Sequence, residues 1–540
     1  MASSAPHATP VAAPARARPA GRGDVRARSR AIQAAPALTV AALTLAGAVL
    51  RYVVAGQSLF GDELSTYWIV STNGLGGVVG IVHDRIEITP PLYFVAAWLA
   101  TQIDLTPELL RAPSLIAGIA AIPLVYRLGV RTTGRAAGVV AAALTALAPF
   151  MIYYSAEARA YQLMLVLVML STLSLLAAVD SGRRRWWVAY AACAGAATYT
   201  HYTSVFALAV QLAWVLWAHP EARRAALLAT AAAAVAFVPW LSGFVDDLGM
   251  PDSRIMSDFS PVTPYTVRLA LEHWSVGYPY IAQGSELRDL PGVVGLSLQA
   301  LGLCVGIAGA TAGALRRGPG AWLGRADRRL LLVVALAVCA PLGELAASAV
   351  GTNLLAARNL AVSWPWFALC LATLLVAAGP RLRYVAAGLV LAGFALGAVK
   401  MVSERFQRPD FGAAAKLIDA EAAPGDAVID GAVAFITPGP LTGLDAALAR
   451  PHRIIRANAP QRRDGNFRLN DRILPPATVV RRAAARGRRV FVVVPEPESA
   501  PSAATWDRLF AGLPDGPRRV RTRVLPGFIP LAVHTYQRPR

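Results

Sequence analysis

About eleven apolar stretches, each of roughly 16 to 24 residues, punctuate the chain between Ala34 and about residue 402. Each is close to the ~20 residues a helix needs to cross the hydrocarbon core of a bilayer. They run from Ala34 to about Val54 and then near 110–130, 135–152, 160–179, 186–200, 203–218, 225–245, 291–314, 330–350, 359–378 and 384–402. Charged residues make up 16% of the chain and mean hydropathy is +0.47. A water-soluble domain carries about a quarter charged residues, so one large soluble enzyme is excluded. The expected fold class is a polytopic α-helical membrane protein.

Charge sorts the connecting segments. Arg127/Arg131/Arg135, Arg183/Arg184/Arg185, Arg223/Arg224, Arg316/Arg317/Arg325/Arg328/Arg329 and Arg381/Arg383 occupy every second loop. The positive-inside rule places these loops in the cytoplasm, together with residues 1–33, a basic tail expected to be disordered for want of large apolar side chains. The other loops then face outward. They hold Asp62, Glu63, Asp84, Glu87, Asp104, Glu108, Glu157, Asp246, Asp247, Asp252, Asp258, Glu272, Glu286 and Asp289. This alternation requires that Pro90 to Ile103, short and opened by a Pro-Pro pair, lie at the outer interface instead of crossing.

Beyond Met401 the composition becomes mixed. Asp426 to Asp430 and Arg489 to Pro495 read as short buried strands, and Gly412 to Ala422 reads as a helix, so residues 403–540 are expected to form a small extracytoplasmic α/β domain. Residues 34–402 form the membrane domain. Cys193, Cys304, Cys339 and Cys370 all fall inside apolar stretches, which leaves no disulfide framework and no zinc spacing. The net charge of +20 would also suit a nucleic-acid partner, but its placement in the tail, the inner loops and the C-terminal segment is explained by topology and by contact with membrane lipid.

Four outer motifs carry chemistry-bearing residues. Leu59-Phe60-Gly61-Asp62-Glu63 sets two carboxylates just past the end of a span, followed by an aromatic segment to Trp68. Thr89-Pro90-Pro91-Leu92-Tyr93 opens the next apolar segment, with His83 upstream. Tyr153-Tyr154-Ser155-Ala156-Glu157-Ala158-Arg159-Ala160-Tyr161 gathers an acid, a guanidinium and three tyrosines; read as a helix, it puts Ser155 with Arg159 and Glu157 with Tyr161. Arg358-Asn359-Leu360 starts a late span on the outer side. Taken singly, each also fits a solvated loop, an interfacial aromatic belt or a snorkelling arginine.

In this order, and with Arg111-Ala-Pro-Ser114 and Pro123-Leu-Val-Tyr126 between them, the motifs resemble the polytopic GT-C glycosyltransferases. The likeness is to bacterial members related to protein O-mannosyltransferases and to lipid A aminoarabinose transferases. It implies transfer of a sugar from a polyprenyl-phosphate donor to a glycan, lipid or protein acceptor on the outer face of the plasma membrane, with inversion. Family members often carry His directly before the Pro-Pro pair, whereas this chain has Thr89 there, with His83 six residues earlier.

Displacing a lipid phosphate from an anomeric carbon needs one base for the acceptor's proton, because the leaving phosphate is already a stable anion. Asp62 is the expected base, with Glu63 orienting it or packing beside it. Arg159 and Arg358 are the cations for the departing phosphate. Glu157 is open to three roles: pairing with Arg159, contacting the sugar, or joining Asp62 at a divalent ion. Tyr154, Tyr161, Tyr93 and His83 complete the candidate substrate contacts, and no cofactor is expected. The loop from Val245 to about Leu290 reads either as a cover for the site or as a solvated linker with one helix near Val267 to Trp274. Tyr199 to Tyr202 reads as an aromatic belt or a sugar-stacking turn. A transporter of lipid-linked sugars tends to place ionisable groups at the bilayer midplane, and an inactive scaffold would leave the motif order unexplained.

Overall fold

The structure, a computed structural model, describes residues 22–248, 261–277, 287–317, 327–351, 353–431, 442–456, 458–459, 472–485, 487–496 and 503–539. The first twelve helices are α1 (Arg22–Ala55), α2 (Asp62–Ser71), α3 (Leu75–Ile81), α4 (Leu92–Thr101), α5 (Pro107–Thr132), α6 (Arg135–Leu147), α7 (Pro149–Ser155), α8 (Tyr161–Ser181), α9 (Arg184–Thr200), α10 (Ser204–Ala218), α11 (Arg223–Phe237) and α12 (Leu241–Leu248). Helices Val293–Arg317, Arg328–Ala349, Trp364–Ala377 and Leu382–Met401 complete the membrane part.

Among the described residues, eight helices are long and apolar enough to span a membrane, and α6 with α7, bent by 61°, makes a ninth. The expected count of about eleven is reached only by adding α9 and α10, of 17 and 15 residues. Because these two are consecutive, the side reached by every later helix is the same whether both cross or neither does. The chain is a multi-pass membrane protein. The segment after Pro90-Pro91 is α4, whose ten residues rise only about 15 Å, too little to cross. The helix α1 begins at Arg22 instead of Ala34, so residues 22–33 are helical where a disordered tail was expected; Ala and Arg are strong helix formers, and lack of apolar residues does not forbid a helical extension. Residues 1–21 lie outside the described residues.

The helices meet through small residues, as expected where no hydrophobic force separates helix from lipid. A Cβ on Gly118 of α5 would lie 1.9 Å from Ser155 Oγ, and one on Gly302 would lie 2.7 Å from the Ala386 carbonyl. The kink between α6 and α7 has a definite cause. Pro149 has no N–H for the Thr145 carbonyl, and Arg51 of α1 supplies the missing donors. Its fully buried guanidinium reaches Thr145 O at 2.8 Å, Ala146 O at 3.2 Å, Gly47 O at 3.0 Å and Ser155 Oγ at 3.0 Å.

The outer loop expected around Val267 to Trp274 contains a helix, Pro264–Ser275, started by a capping box of Thr263 and Thr266. It is docked, not solvated: Trp364 Nε1 donates to the Trp274 carbonyl at 3.0 Å and Trp274 stacks near Phe367. Residues 249–260 and 278–286, including Tyr278 and Tyr280 of that loop, lie outside the described residues.

After Met401 the chain builds a five-stranded sheet in the order β2-β1-β5-β7-β6, with β1 (Ala427–Asp430), β2 (Arg453–Arg456), β5 (Arg489–Pro495), β6 (Arg518–Leu525) and β7 (Leu531–Gln537). A short pair of β3 (Asn458–Ala459) and β4 (Arg472–Ile473) lies beside it. The strand β1 runs parallel to β2 and β5, and β7 is antiparallel to β5 and β6. Alternate residues feed two cores. One face sets Ile429, Val490, Val492 and Val494 against Val479, Ala483, Trp506 and Phe510. The other sets Val428, Phe491, Val493 and Val533 against Phe411, Ile418 and Leu444, and it also takes in Phe60 from the membrane domain.

Arg51→Met should lower the unfolding temperature of the detergent-extracted protein by several degrees, since two buried carbonyls lose their donors at about 1–3 kcal/mol each. A melting curve unchanged from wild type would show that the kink does not depend on Arg51.

Candidate functional site

Gly61 turns the chain from the end of α1 into α2 with φ 59°, a left-handed conformation that glycine adopts without strain. That turn places Asp62 and Glu63 in the first turn of α2, and α2 then distributes four side chains. Glu63 receives Arg111 through two bonds, Nε to Oε1 at 2.6 Å and Nη2 to Oε2 at 2.7 Å. Ala158 N donates to its Oε1 at 2.8 Å and Phe60 N to its Oε2 at 3.3 Å, while Arg408 Nε lies 3.7 Å from Oε2. Thr66 Oγ1 donates to the Ala158 carbonyl at 2.9 Å, so α2 holds both the N–H and the carbonyl of one residue in the turn between α7 and α8. Ser65 Oγ donates to Glu87 at 3.3 Å.

That turn breaks the helix that the Tyr153–Tyr161 motif suggests. The helix α7 ends at Ser155 and α8 starts at Tyr161, so Ser155 and Arg159 do not share a helix face. Ser155 faces Arg51. Arg159 does not pair with Glu157; it binds Glu87 through Nη1 to Oε2 at 2.7 Å and Nη2 to Oε1 at 2.8 Å. Thr89, at the position of the expected histidine, lies 3.4 Å from both Arg159 Nη2 and Glu87 Oε1. Ser114 Oγ fixes the Arg159 carbonyl at 2.8 Å.

Three carboxylate–guanidinium pairs therefore converge on α2, and their exposure separates them. Side chains of the Glu63–Arg111 pair are 0% exposed, those of Glu87–Arg159 are 8% and 7% exposed, and those of Asp62–Arg358 are 32% and 33% exposed. In the third pair, Arg358 Nη1 lies 2.9 Å from Asp62 Oδ2. Burial works to raise the Asp62 pKa, but the Arg358 and Arg159 charges outweigh it and hold the carboxyl below its ordinary range. Burial likewise opposes ionisation of Glu63, and Arg111 and Arg408 overcome it.

Glu157 is the opposite case. It is 9% exposed and its Oε2 has no hydrogen-bond partner among the described residues. Burial, with repulsion from Glu63 and Asp62 only partly offset by Arg408 and Arg159, pushes its pKa up to about 8. Two carboxyl groups in one site thus hold different protonation states at neutral pH, Asp62 ionised and Glu157 protonated.

The remaining expected residues divide. Tyr154 and Tyr161 pack edge to face at 5.2 Å, 5% and 4% exposed, and both feel the Asp62 and Arg358 charges. Tyr93 is sealed between α4 and α5: its hydroxyl lies 3.0 Å from Ser114 Oγ and 3.4 Å from the Leu110 carbonyl. His83 engages α12, with Nε2 3.0 Å from Ser242 Oγ and its ring 5.5 Å from Trp240. Glu63, expected to join the base or orient it, has both oxygens taken by buried donors.

Three contributors were not singled out by the motifs. Glu87 is the partner of Arg159. Arg408, past the last span, donates to the Ala156 carbonyl at 2.9 Å and lies over the Tyr153 ring at 4.8 Å. His201, in the turn between α9 and α10, sits 5.4 Å from the Tyr161 ring. Its Nδ1 lies 3.3 Å from Thr203 N and 2.9 Å from Thr203 Oγ1. Burial first, then the Arg159 and Arg358 charges, lower its pKa to about 3, so the ring is neutral. Among the described residues no group of three or more His, Cys, Asp or Glu side chains gathers to hold a metal ion.

Glu63→Ala should leave Arg111 buried without its counter-charge and cost about 3–5 kcal/mol, seen as loss of folded protein in membranes. Asp62→Asn, at an open pair, should melt close to wild type. Equal melting of the two variants would remove the distinction between sealed and open pairs.

Residues 89–242 match the family described as dolichyl-phosphate-mannose-protein mannosyltransferase. The fold is similar to the crystal structure of apo ArnT from Cupriavidus metallidurans, with TM-score 0.52 and 14% identity over 93% of this chain and 98% of that one. The same protein bound to undecaprenyl phosphate gives TM-score 0.50 and 13% identity over 92% and 97%. A comparison with curated proteins finds no sequence match. The chain is a multi-pass membrane protein with a fold similar to that of ArnT, a stretch over residues 89–242 that matches the mannosyltransferase family model, and a small α/β sheet domain after its last membrane helix.

Proposed function

We propose that the protein transfers a sugar from a polyprenyl-phosphate donor to an acceptor hydroxyl at the outer face of the plasma membrane, with inversion. The observation that carries this reading is the Asp62–Arg358 pair, the one of the three converging pairs left open to a substrate. ArnT, whose fold this chain shares, binds undecaprenyl phosphate, which supports a lipid-phosphate donor. The run of arginines in alternate loops supports a cytoplasmic N-terminus and an extracytoplasmic C-terminal domain over residues 403–540.

The donor phosphate takes the Arg358 N–H groups that Asp62 holds in the resting site, and this frees the carboxylate. Asp62 then accepts the proton of the acceptor hydroxyl as its oxygen attacks the anomeric carbon. The bond from that carbon to the phosphate oxygen breaks, and the polyprenyl phosphate leaves with the electron pair as an anion held by Arg358. Arg159, fixed by Glu87, adds positive potential without leaving its pair. Tyr154, Tyr161 and neutral His201 line the approach. Guanidinium groups neutralise the phosphate, so turnover should be insensitive to EDTA.

Asp62→Asn should abolish transfer from a radiolabelled polyprenyl-phosphate sugar while membrane insertion is kept. Near-normal turnover would remove Asp62 from the mechanism. Arg358→Ala should weaken binding of undecaprenyl phosphate tenfold or more, by the loss of a charge-assisted contact of roughly 1.5–3 kcal/mol. Unchanged affinity would leave Arg358 as a lipid-facing anchor.

A pH profile tests Glu157. The raised pKa means the proton is held through neutral pH and lost as pH passes about 8, which adds a negative charge beside Asp62 and the donor phosphate. The wild-type rate should fall above about pH 8, and Glu157→Gln, which cannot ionise, should keep its rate there. A fall of the same midpoint in the Gln variant would assign the limb to another group.

A further inference from the structure

We propose that the C-terminal α/β domain is a positioning element for Asp62, holding the segment 57–60 that leads into it. The kinetic consequence rests on the transferase reading; the structural claim stands without it. Phe60, directly before Gly61 and Asp62, is 2% exposed and belongs to the core of the C-terminal domain with Phe411, Ile418, Val428 and Leu444. The Phe528 ring, in the turn between β6 and β7, meets it edge to face at 5.2 Å.

The residues before Phe60 are gripped from the same side. Gln57 Oε1 accepts from Arg408 N at 3.0 Å and Ser58 Oγ accepts from Gly412 N at 2.9 Å. Arg408, 2% exposed, carries the grip inward to the Ala156 carbonyl and toward Glu63. Between this anchorage and Asp62 stands only Gly61, whose Cβ position has no atom within 4 Å. A glycine in open space is a pivot: the Glu63–Arg111 pair holds α2 from one side and the C-terminal domain holds Phe60 on the other, so loosening Phe60 loosens the entry into the first turn that carries Asp62. A domain that served only as an outer cap would have no need to bury the residue two before the base in its own core.

The test uses the full chain in nanodiscs with Phe528→Ala and Phe528→Tyr, since Phe528 lies outside the catalytic cluster. In Phe528→Ala, backbone amides of residues 59–64 should exchange hydrogen roughly tenfold faster while those of β5 stay protected. Turnover of radiolabelled undecaprenyl-phosphate mannose or arabinose, whichever the wild type consumes, should fall about tenfold in kcat, with undecaprenyl phosphate affinity kept within about twofold. Phe528→Tyr should restore both. If β5 also loses protection in the alanine variant, Phe528→Leu, which keeps apolar packing and removes only the ring contact, gives the same readout. Unchanged exchange at 59–64, or unchanged kcat, overturns the proposal. A wild type that consumes neither donor counts against the transferase reading, and the exchange measurement then decides the positioning claim alone.

Discussion

The candidate site is built around one ion pair with no access to solvent, Glu63 with Arg111. Removing two charges from water costs several kcal/mol per ion, and their mutual attraction repays it only if their other hydrogen-bonding groups are also satisfied. Here they are. Arg111 also donates to the carbonyls of Ala55 and Gln57 at 2.6 Å and of Ser58 at 3.0 Å, and Glu63 takes the amides of Phe60 and Ala158. The pair thereby ties the end of α1, the turn at Gly61, the start of α2, α5 and the turn before α8 into one unit. Asp62 is placed by being the neighbour of the residue at the centre of that unit.

The gradient of burial across the three pairs separates framework from chemistry. A sealed, bidentate pair cannot exchange partners without leaving a bare charge, so Glu63–Arg111 and Glu87–Arg159 hold geometry. An open pair with a single short contact can exchange a carboxylate for a phosphate at little cost. The same surroundings divide the two remaining roles between acids. Asp62 faces two guanidinium groups and stays charged; Glu157, one turn of chain away from Arg159 yet unpaired, is kept protonated by burial. Such divergence of environments lets one site hold an ionised and a protonated group built from the same functional group.

Much of this was legible in the sequence, and the reasons for the rest are specific. Span length follows from bilayer thickness, so the helical membrane fold and the α/β segment after Met401 could be read directly. Partners could not. The 153–161 motif suggests a helix by its spacing, but α7 stops at Ser155, and that stop moves Arg159 off the face it would share with Ser155 and toward Glu87. Glu63 and Asp62 are adjacent and chemically alike, and only the arrival of Arg111 and Arg408 from distant segments tells them apart. Arg408 belongs to no motif. Phe60 stands in the first motif with no role of its own in the sequence, and its place in the core of the C-terminal domain is set by tertiary contacts between segments far apart in the chain.

The break that defeats the helical reading is itself maintained by a charge within the membrane. Pro149 frees the Thr145 carbonyl, and a free carbonyl in lipid costs several kcal/mol, so a kink there survives only with a donor at hand. Arg51 provides three bonds to backbone carbonyls and one to Ser155, the last residue of α7. It therefore joins the cause of the bend to the place where the helix ends. Beyond Ser155 the chain can turn, and that turn presents Ala158 to α2, Arg159 to Glu87 and Glu157 to the space beside Asp62. A fully buried arginine in the first span thus sets the position of the acid and the cation at the site through the end of one short helix.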